Sequence, residues 1–301
     1  MYASERNGPG AVAGQTCSCP AILSSILVWG KAMQIRSCTC HSPVTRPYTG
    51  GAAAHSPTEN LLLAALPAAD YRQLLPHLEP VELTLGCSLY EPGDQLGHVF
   101  FPTTAIVALL HIMENGASAE TALTGNRGMI GIASFMGGGS TKGRAVVVSA
   151  GYAYRLSKRV LMREFECSAN LRHLLLRYTL ALLTHMAQTA VCNRHHTVDQ
   201  QLCRLLLLCL DRLTSNEIHM TQELISHMLG VRREGVTEAA GRLKDAGLIQ
   251  CHRGSITVLD RPGLEQRVCE CYAVVKREAD RLRSWKPLAD PIQAVRFAGA
   301  S

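Results

Sequence analysis

In this 301-residue chain the residues best placed for chemistry lie between Thr221 and Leu243. Thr221 is of the type that caps a helix N-terminus, and it leaves backbone N–H groups that suit a phosphate. The helix it opens, with Gln222 in its first turn, buries Leu224, Ile225 and Met228, and Ser226 is small enough for another helix to approach. Gly230 stands where the sharp turn of a helix-turn-helix needs a positive φ, followed by Val231. The next helix starts at Arg232 and buries Val236, Ala240 and Leu243. Its other face opens with Arg232, Arg233 and Glu234, the end that enters a major groove. After Ala246-Gly247-Leu248-Ile249, a strand, a turn at Arg253-Gly254 and a return over Ser255–Leu259 form a β-hairpin wing. The chemistry is recognition of a polyanion.

Thiols and imidazoles form a second group. Twelve cysteines are present, in a chain too long to need disulfide staples. Cys192, Cys203 and Cys209 sit among helical leucines, where a thiol serves as a small hydrophobe. Cys17/Cys19 and Cys38/Cys40 are C-x-C pairs, tighter than the C-x₂₋₄-C spacing of zinc sites. Cys269 and Cys271, two apart on an expected helix, point about 200° apart and do not easily share an ion. Cys192, His195 and His196 offer thiolate and imidazole, but are read as the end of a long helix with the histidines exposed or capping carbonyls. His98 and His111 lie in alternating strands and read as structural. No metal and no cofactor is expected. The G-x-S-x-G, P-loop and H-E-x-x-H motifs do not occur, and no enzymatic activity is expected.

The elements that must carry these residues divide the chain. Its length suits two domains, and 47% hydrophobic with 18% charged residues excludes a wholly disordered polymer. Residues 1–152 carry 8 basic and 9 acidic side chains, and residues 153–301 carry 22 and 15, so the positive excess lies entirely in the second half. Such asymmetry suits one module that meets a polyanion beside one that does something else, or a solvated Arg-rich surface. Residues 1–58 read as a disordered extension. Its apolar stretch Ala21–Trp29 lacks the basic flank of a signal peptide and is far short of a membrane span.

From Glu59, two short helices precede alternating segments at 82–85, 88–90, 99–101, 105–113, 118–123, 146–148 and 152–156. Pro92-Gly93 suits a tight turn and Asn115-Gly116 a two-residue hairpin. These segments predict an antiparallel sandwich or small barrel over 59–164. A helix is expected over Phe165–Asn193, with Leu171, Leu175, Tyr178, Leu182 and His185 forming a 4-3-4-3 seam that pairs with its own copy or buries against the chain's own sheet, and the two can hold on different faces. A second helix follows over Val198–Leu213. The winged-helix domain is placed at 195–283 and a flexible tail at 284–301.

A β-roll, a long helix and a winged helix in this order resemble the Crp–Fnr transcription regulators, over about residues 59–283. The specific passages are Met220–Gly247, with Gly230–Val236 at the turn and recognition helix, and Gly86–Gly93 in the sheet domain. The run Gln188–His196 is similar to an uncharacterised branch of that family. The resemblance implies an α+β fold: an N-terminal antiparallel β-roll like that of cyclic-nucleotide-binding domains, a dimerisation helix, and a C-terminal winged helix-turn-helix. It also implies that Arg233 and Glu234 read base edges, as Arg to guanine and Glu to cytosine permit. Thr221 matches a phosphate contact, and Glu238 stands where members usually carry a basic reader.

In the ligand pocket the pattern departs. Gly128–Ala133 lacks the glutamate that holds a ribose, and Gly143-Arg144-Ala145 keeps an arginine without its hydroxyl partner. A missing buried hydrogen bond costs about 1–3 kcal/mol, so cyclic AMP is not expected, although Arg144 remains a candidate anion contact. The N-terminal cysteines do not reproduce the set of the oxygen-sensing branch.

The expected protein is a cytoplasmic homodimer on a palindromic double-stranded operator, with RNA polymerase as a further partner and no membrane. Its DNA contacts come from Thr221, Gln222, Val231, Arg232, Arg233, Glu234, Thr237 and Arg253. The alternatives are a sensor of an anionic small molecule with vestigial DNA binding, or a metal- or redox-responsive repressor using Cys17, Cys19, Cys38 and Cys40.

Overall fold

The computed structural model describes residues 46–47 and 56–287, apart from 139 and 214. Most of the expected extension, its four cysteines, and tail residues 288–301 lie outside the described residues.

The sheet domain begins with strand β1 (Arg46–Pro47) and helices α1 (Leu61–Ala64) and α2 (Ala68–Leu74). Asn60 caps α1, accepting from the Leu62 and Leu63 amides, and its buried amide donates to the Pro102 and Gly128 carbonyls at 2.8 Å each. Then come β2 (Glu79–Leu83), β3 (Ser88–Tyr90), β4 (His98–Pro102), β5 (Ile106–Ile112), β6 (Ser118–Thr124), β7 (Arg144–Ser149) and β8 (Gly151–Ser157). They form two antiparallel sheets, β1-β2-β8-β4 and β3-β7-β5-β6. Side chains of both sheets share one core that includes Val81, Leu83, Phe101, Leu109, Val147 and Leu156.

The turn after β3 is as expected: Gly93 has φ 95° and the Asp94 amide donates to the Glu91 carbonyl at 3.1 Å. The β5–β6 turn is not. Met113 donates to the Ala117 carbonyl at 2.7 Å, so three residues, Glu114, Asn115 and Gly116, form the loop. Gly116 supplies its positive φ of 83°, and the Asn115 side chain accepts from the Ala117 amide. His98 and His111 are exposed.

The expected helix over Phe165–Asn193 is two helices, α3 (Lys158–Cys167) and α4 (Ala169–His195). Ser168 separates them in an extended conformation. Its hydroxyl accepts from the Leu171 amide and donates to the Asp70 carboxylate at 2.7 Å. The apolar spacing continues across this cap, so periodicity alone does not show it.

At 1.5 Å per residue, α4 with its 27 residues runs for about 40 Å. The expected dimer seam is corrected here. Leu171, Leu175, Tyr178, Leu182 and His185 are all buried within the chain, and the four apolar ones belong to the core beneath the sheets. The sheet domain takes this face because its own strands leave that core open. Another face is open instead: Leu176 is 49% exposed, Leu180 62%, Leu183 51% and Val191 48%, at near-heptad spacing.

Beyond α4 lie α5 (Val198–Leu210), β9 (Glu217–Ile218), α6 (Gln222–Leu229), α7 (Arg233–Asp245), β10 (Ile249–His252), β11 (Ser255–Val258), α8 (Arg261–Arg267) and α9 (Glu270–Arg283). Every residue from Gln201 to Cys209 is buried, the polar Gln201 and charged Arg204 included. It lies in a second core that joins Ile106, Ala108, Leu123 and Val148 of the sheet to α6, α7 and the wing. Helix α9 packs along α4, and the Trp285 indole donates to the His173 ring at 3.0 Å.

Four ionisable groups are caught in this packing. Glu120 on β6 is buried near Arg204 and Arg212, and the same two guanidinium groups act on buried His185. Burial pushes the Glu120 carboxyl up to about 7, against the pull of the two arginines. A carboxyl raised in the folded state binds its proton there preferentially. Its contribution is therefore present at low pH and is lost as pH rises through about 7. Burial pushes His185 down, which gives the opposite slope, so the effect of Glu120 is read as a difference. Relative to the parent, Glu120→Gln gains in Tm between about pH 5 and about pH 8. A difference in Tm that stays constant over that range contradicts the assignment.

Candidate nucleic-acid interface

Local chemistry explains why the helix-turn-helix forms. The Thr221 hydroxyl accepts from the Leu224 amide at 3.1 Å, fixing the start of α6. Gly230 ends it in the left-handed region, at φ 66° and ψ 30°, and its amide donates to the Ser226 carbonyl. Val231 donates to the same carbonyl at 3.1 Å, and Arg232 then caps α7 in an extended conformation. Ile225, Met228 and Leu229 of α6 and Val236, Ala239, Ala240 and Leu243 of α7 are buried in one core. The Thr237 hydroxyl donates to the Gln222 side chain at 2.9 Å, which ties the two helices together on the open side.

This packing leaves one face free. Thr221, Arg232, Arg233, Glu234 and Thr237 are exposed, and Gln222 and Val231 are partly so. Arg232 makes no side-chain capping bond, so the α7 N-terminus keeps its positive dipole end available to an anion. The wing strands pair from Ile249↔Val258 to His252↔Ser255, with Arg253-Gly254 as the two-residue turn and Gly254 at φ 84°. Arg253 is exposed at its tip. Strand β9, two residues long and too short to show in the sequence pattern, extends the wing by pairing with β11.

Among the described residues, Arg232, Arg233 and Arg253 have no ion-pair partner within 4 Å, so their charge is available to an incoming ligand. Arg242, one helix face away, is committed: it donates to Asp199 at 2.8 Å and stands 3.9 Å from Glu238. Glu238 thus faces a cation of its own helix.

The pocket of the sheet domain is largely satisfied from within. Arg144 donates through Nε to Glu91 at 2.6 Å. It lines a cavity of about 180 Å³ with Tyr90, His111, Thr121 and Lys142, below the roughly 300–1,000 Å³ of common ligand sites. At the Gly-Met-Ile turn, the Tyr178 hydroxyl of α4 donates to the Met129 carbonyl at 2.8 Å. A Cβ on Gly128 would fall 2.5 Å from that ring, so the close approach requires glycine.

Comparison with known proteins agrees with this geometry. Residues 200–267 match the Crp-like helix-turn-helix domain. A transcriptional regulator of the Crp/Fnr family from Eubacterium rectale superposes with a TM-score of 0.56 at 16% identity, over 70% of this chain and 98% of that one. FixK2 from Bradyrhizobium japonicum gives 0.54 at 16% identity, over 64% and 98%. CLP from Xanthomonas campestris, named as a c-di-GMP responsive global regulator, gives 0.52 at 14%, over 64% and 100%. No curated protein sequence matches the chain. The protein therefore has a Crp-like helix-turn-helix domain within the fold of Crp/Fnr regulators: antiparallel sheets, a long helix and a C-terminal winged helix.

The turn itself supplies a test. The nearest atom to a Cβ at Gly230 is the Ala119 methyl at 3.6 Å, an ordinary contact, so the cost of Gly230→Ala is conformational. It lowers the unfolding free energy by about 1–2 kcal/mol in urea titration. An unchanged midpoint and slope contradict a strained turn.

Proposed function

We propose that the protein is a dimeric, sequence-specific DNA-binding transcription regulator of the Crp/Fnr type. The observation that carries this reading is the set of free cations on one open face, Arg232 and Arg233 at the α7 N-terminus with Arg253 on the wing. In a groove, Arg233 reads guanine and Glu234 cytosine, with Thr237 beside them. Thr221 and Gln222 at the α6 start, Val231 at the turn and Arg253 on the wing meet the sugar-phosphate backbone and set register without reading sequence. No enzymatic step is assigned. Acting on DNA places the protein in the cytoplasm, with RNA polymerase as the further partner, and among the described residues no helix is long and apolar enough to cross a membrane.

The open α4 stripe supports the dimer. Leu176, Leu180, Leu183 and Ala187 follow the 4-3-4 spacing of a two-stranded coiled-coil seam, Val191 lies one residue past its next position, and an exposed apolar stripe of this kind marks an interface. A symmetric pair would present two recognition helices to half-sites about 34 Å apart. The effector stays unassigned. An anion such as the cyclic dinucleotide named for CLP would have to displace Glu91 from Arg144 to be held there.

Arg233→Ala relaxes base preference at one position of each half-site and costs on the order of 1–3 kcal/mol of specific binding. Selection of sites from a random pool reads this directly, and an identical motif for parent and variant contradicts it. The two faces of α4 separate in sedimentation and circular dichroism. Leu180→Arg yields a folded monomer, whereas Leu182→Arg, which buries a charge in the chain's own core, unfolds the sheet domain. An intact dimer for Leu180→Arg removes the stripe from the interface.

A further inference from the structure

Where α4 ends and α9 begins, four metal-ligating side chains converge. Cys192, His196, Cys269 and Cys271 place their ligand atoms within 4.8 Å of one another, and the three cysteines are buried. The Cys192 and Cys269 sulfurs are 3.6 Å apart, and the Cys271 sulfur is 3.4 Å from His196 Nδ1. Zinc–sulfur bonds of about 2.3 Å and zinc–nitrogen bonds of about 2.0–2.1 Å imply tetrahedral edges of about 3.8 Å and about 3.6 Å. The Cys192–Cys269 and Cys271–His196 separations match those edges within a few tenths of an ångström, and the remaining ones stay within 4.8 Å.

Local structure produces the convergence. Cys192 and His196 are one helical turn apart, and the His196 amide donates to the Cys192 carbonyl at 3.0 Å as α4 closes. Cys269 is not helical. It is the α9 cap, at φ −74° and ψ 164°, so the expectation that Cys269 and Cys271 diverge by about 200° fails, because that angle assumes both are in the helix. The outer groups fit as well. His196 Nε2 stands 3.4 Å from the Glu270 carboxylate, as in carboxylate–histidine–zinc triads, and the Gln188 amide donates to Cys271 Sγ at 3.1 Å.

We propose that Cys192, His196, Cys269 and Cys271 form a tetrahedral zinc site that clasps the end of the long helix to the start of α9. Three thiolates and one imidazole suit zinc and exclude hard cations such as magnesium or calcium. Binding releases the three thiol protons, leaving a net charge of −1 on the site. The α9 N-terminus, where Cys269 is the cap, offsets that charge. The expectation of no metal gives way here, although His195 is exposed and takes no part. This inference stands independently of DNA binding.

The test uses the full-length chain with Cys17, Cys19, Cys38 and Cys40 changed to serine, purified under reduction and equilibrated with zinc or cobalt(II). One zinc per chain is retained, cobalt gives the visible bands of a tetrahedral ion with thiolate charge transfer, and a chelator lowers Tm reversibly. Cys271→Ser abolishes retention. Glu270→Gln, at an exposed position that leaves folding intact, weakens zinc affinity about 10–100-fold. The proposal is overturned by a folded parent that retains no zinc and whose Tm ignores chelator. It is equally overturned by metal retained unchanged in Cys271→Ser, or by a Cys192–Cys269 disulfide that re-forms once the reductant is removed while zinc is present in excess.

Discussion

A long helix with apolar residues on more than one face has to find a partner for each, and the architecture of this protein follows from how α4 does so. One face, from Leu171 to Leu182, closes the core beneath the two sheets. A second receives α9, held near the two ends by Trp285 on His173 and by the Cys192–Cys269 contact. A third, from Leu176 to Val191, has no partner among the described residues. Burying a leucine is worth about 1.5–3 kcal/mol, so four large side chains left open are a substantial driving force for association. The same helix thus closes the core of the sheet domain, receives α9 and carries the open face assigned to the proposed dimer.

The recognition module is seated by a different element. Helix α5, buried on every side through its centre, fills the space between the outer face of the β3-β7-β5-β6 sheet and the winged helix. Within the same core α6 packs directly on β6, so the sheet and the helix-turn-helix share buried side chains. The charged residues inside this layer, Glu120, Arg204 and Arg212, make it the place where the apolar packing is interrupted by groups whose charge costs most. Meanwhile Tyr178, bonded to the Met129 carbonyl, links the long helix to the Gly128–Ile130 turn of the sheet domain.

The helix-turn-helix was legible because each of its signals is local. The Thr221 hydroxyl, the left-handed Gly230 and the apolar positions of α6 and α7 act within a few residues of one another, and the structure places them as the spacing predicts. Strands β2 to β8 and the wing strands β10 and β11 were legible for the same reason, to within a few residues at their ends, whereas β1 lies in the stretch expected to be disordered and β9 is too short for a pattern. The α4 seam was not, because leucines occupy both Leu171–Leu182 and Leu176–Leu183, and period alone does not say which stripe meets the sheet. The Ser168 break depends on a hydroxyl held by Asp70, about a hundred residues away in sequence. The Cys–His cluster depends on one residue of helix boundary at Cys269 and on the antiparallel docking of α9, neither of which is written in spacing.

The central claim is that two copies present α7 to one duplex, and the most direct measurement is selection of binding sites from a random DNA pool by the full-length protein at low ionic strength. The account predicts enrichment of an inverted repeat whose half-sites are centred about one helical turn apart, near 34 Å. Enrichment of a single unrepeated half-site, or of no sequence at all, would contradict it.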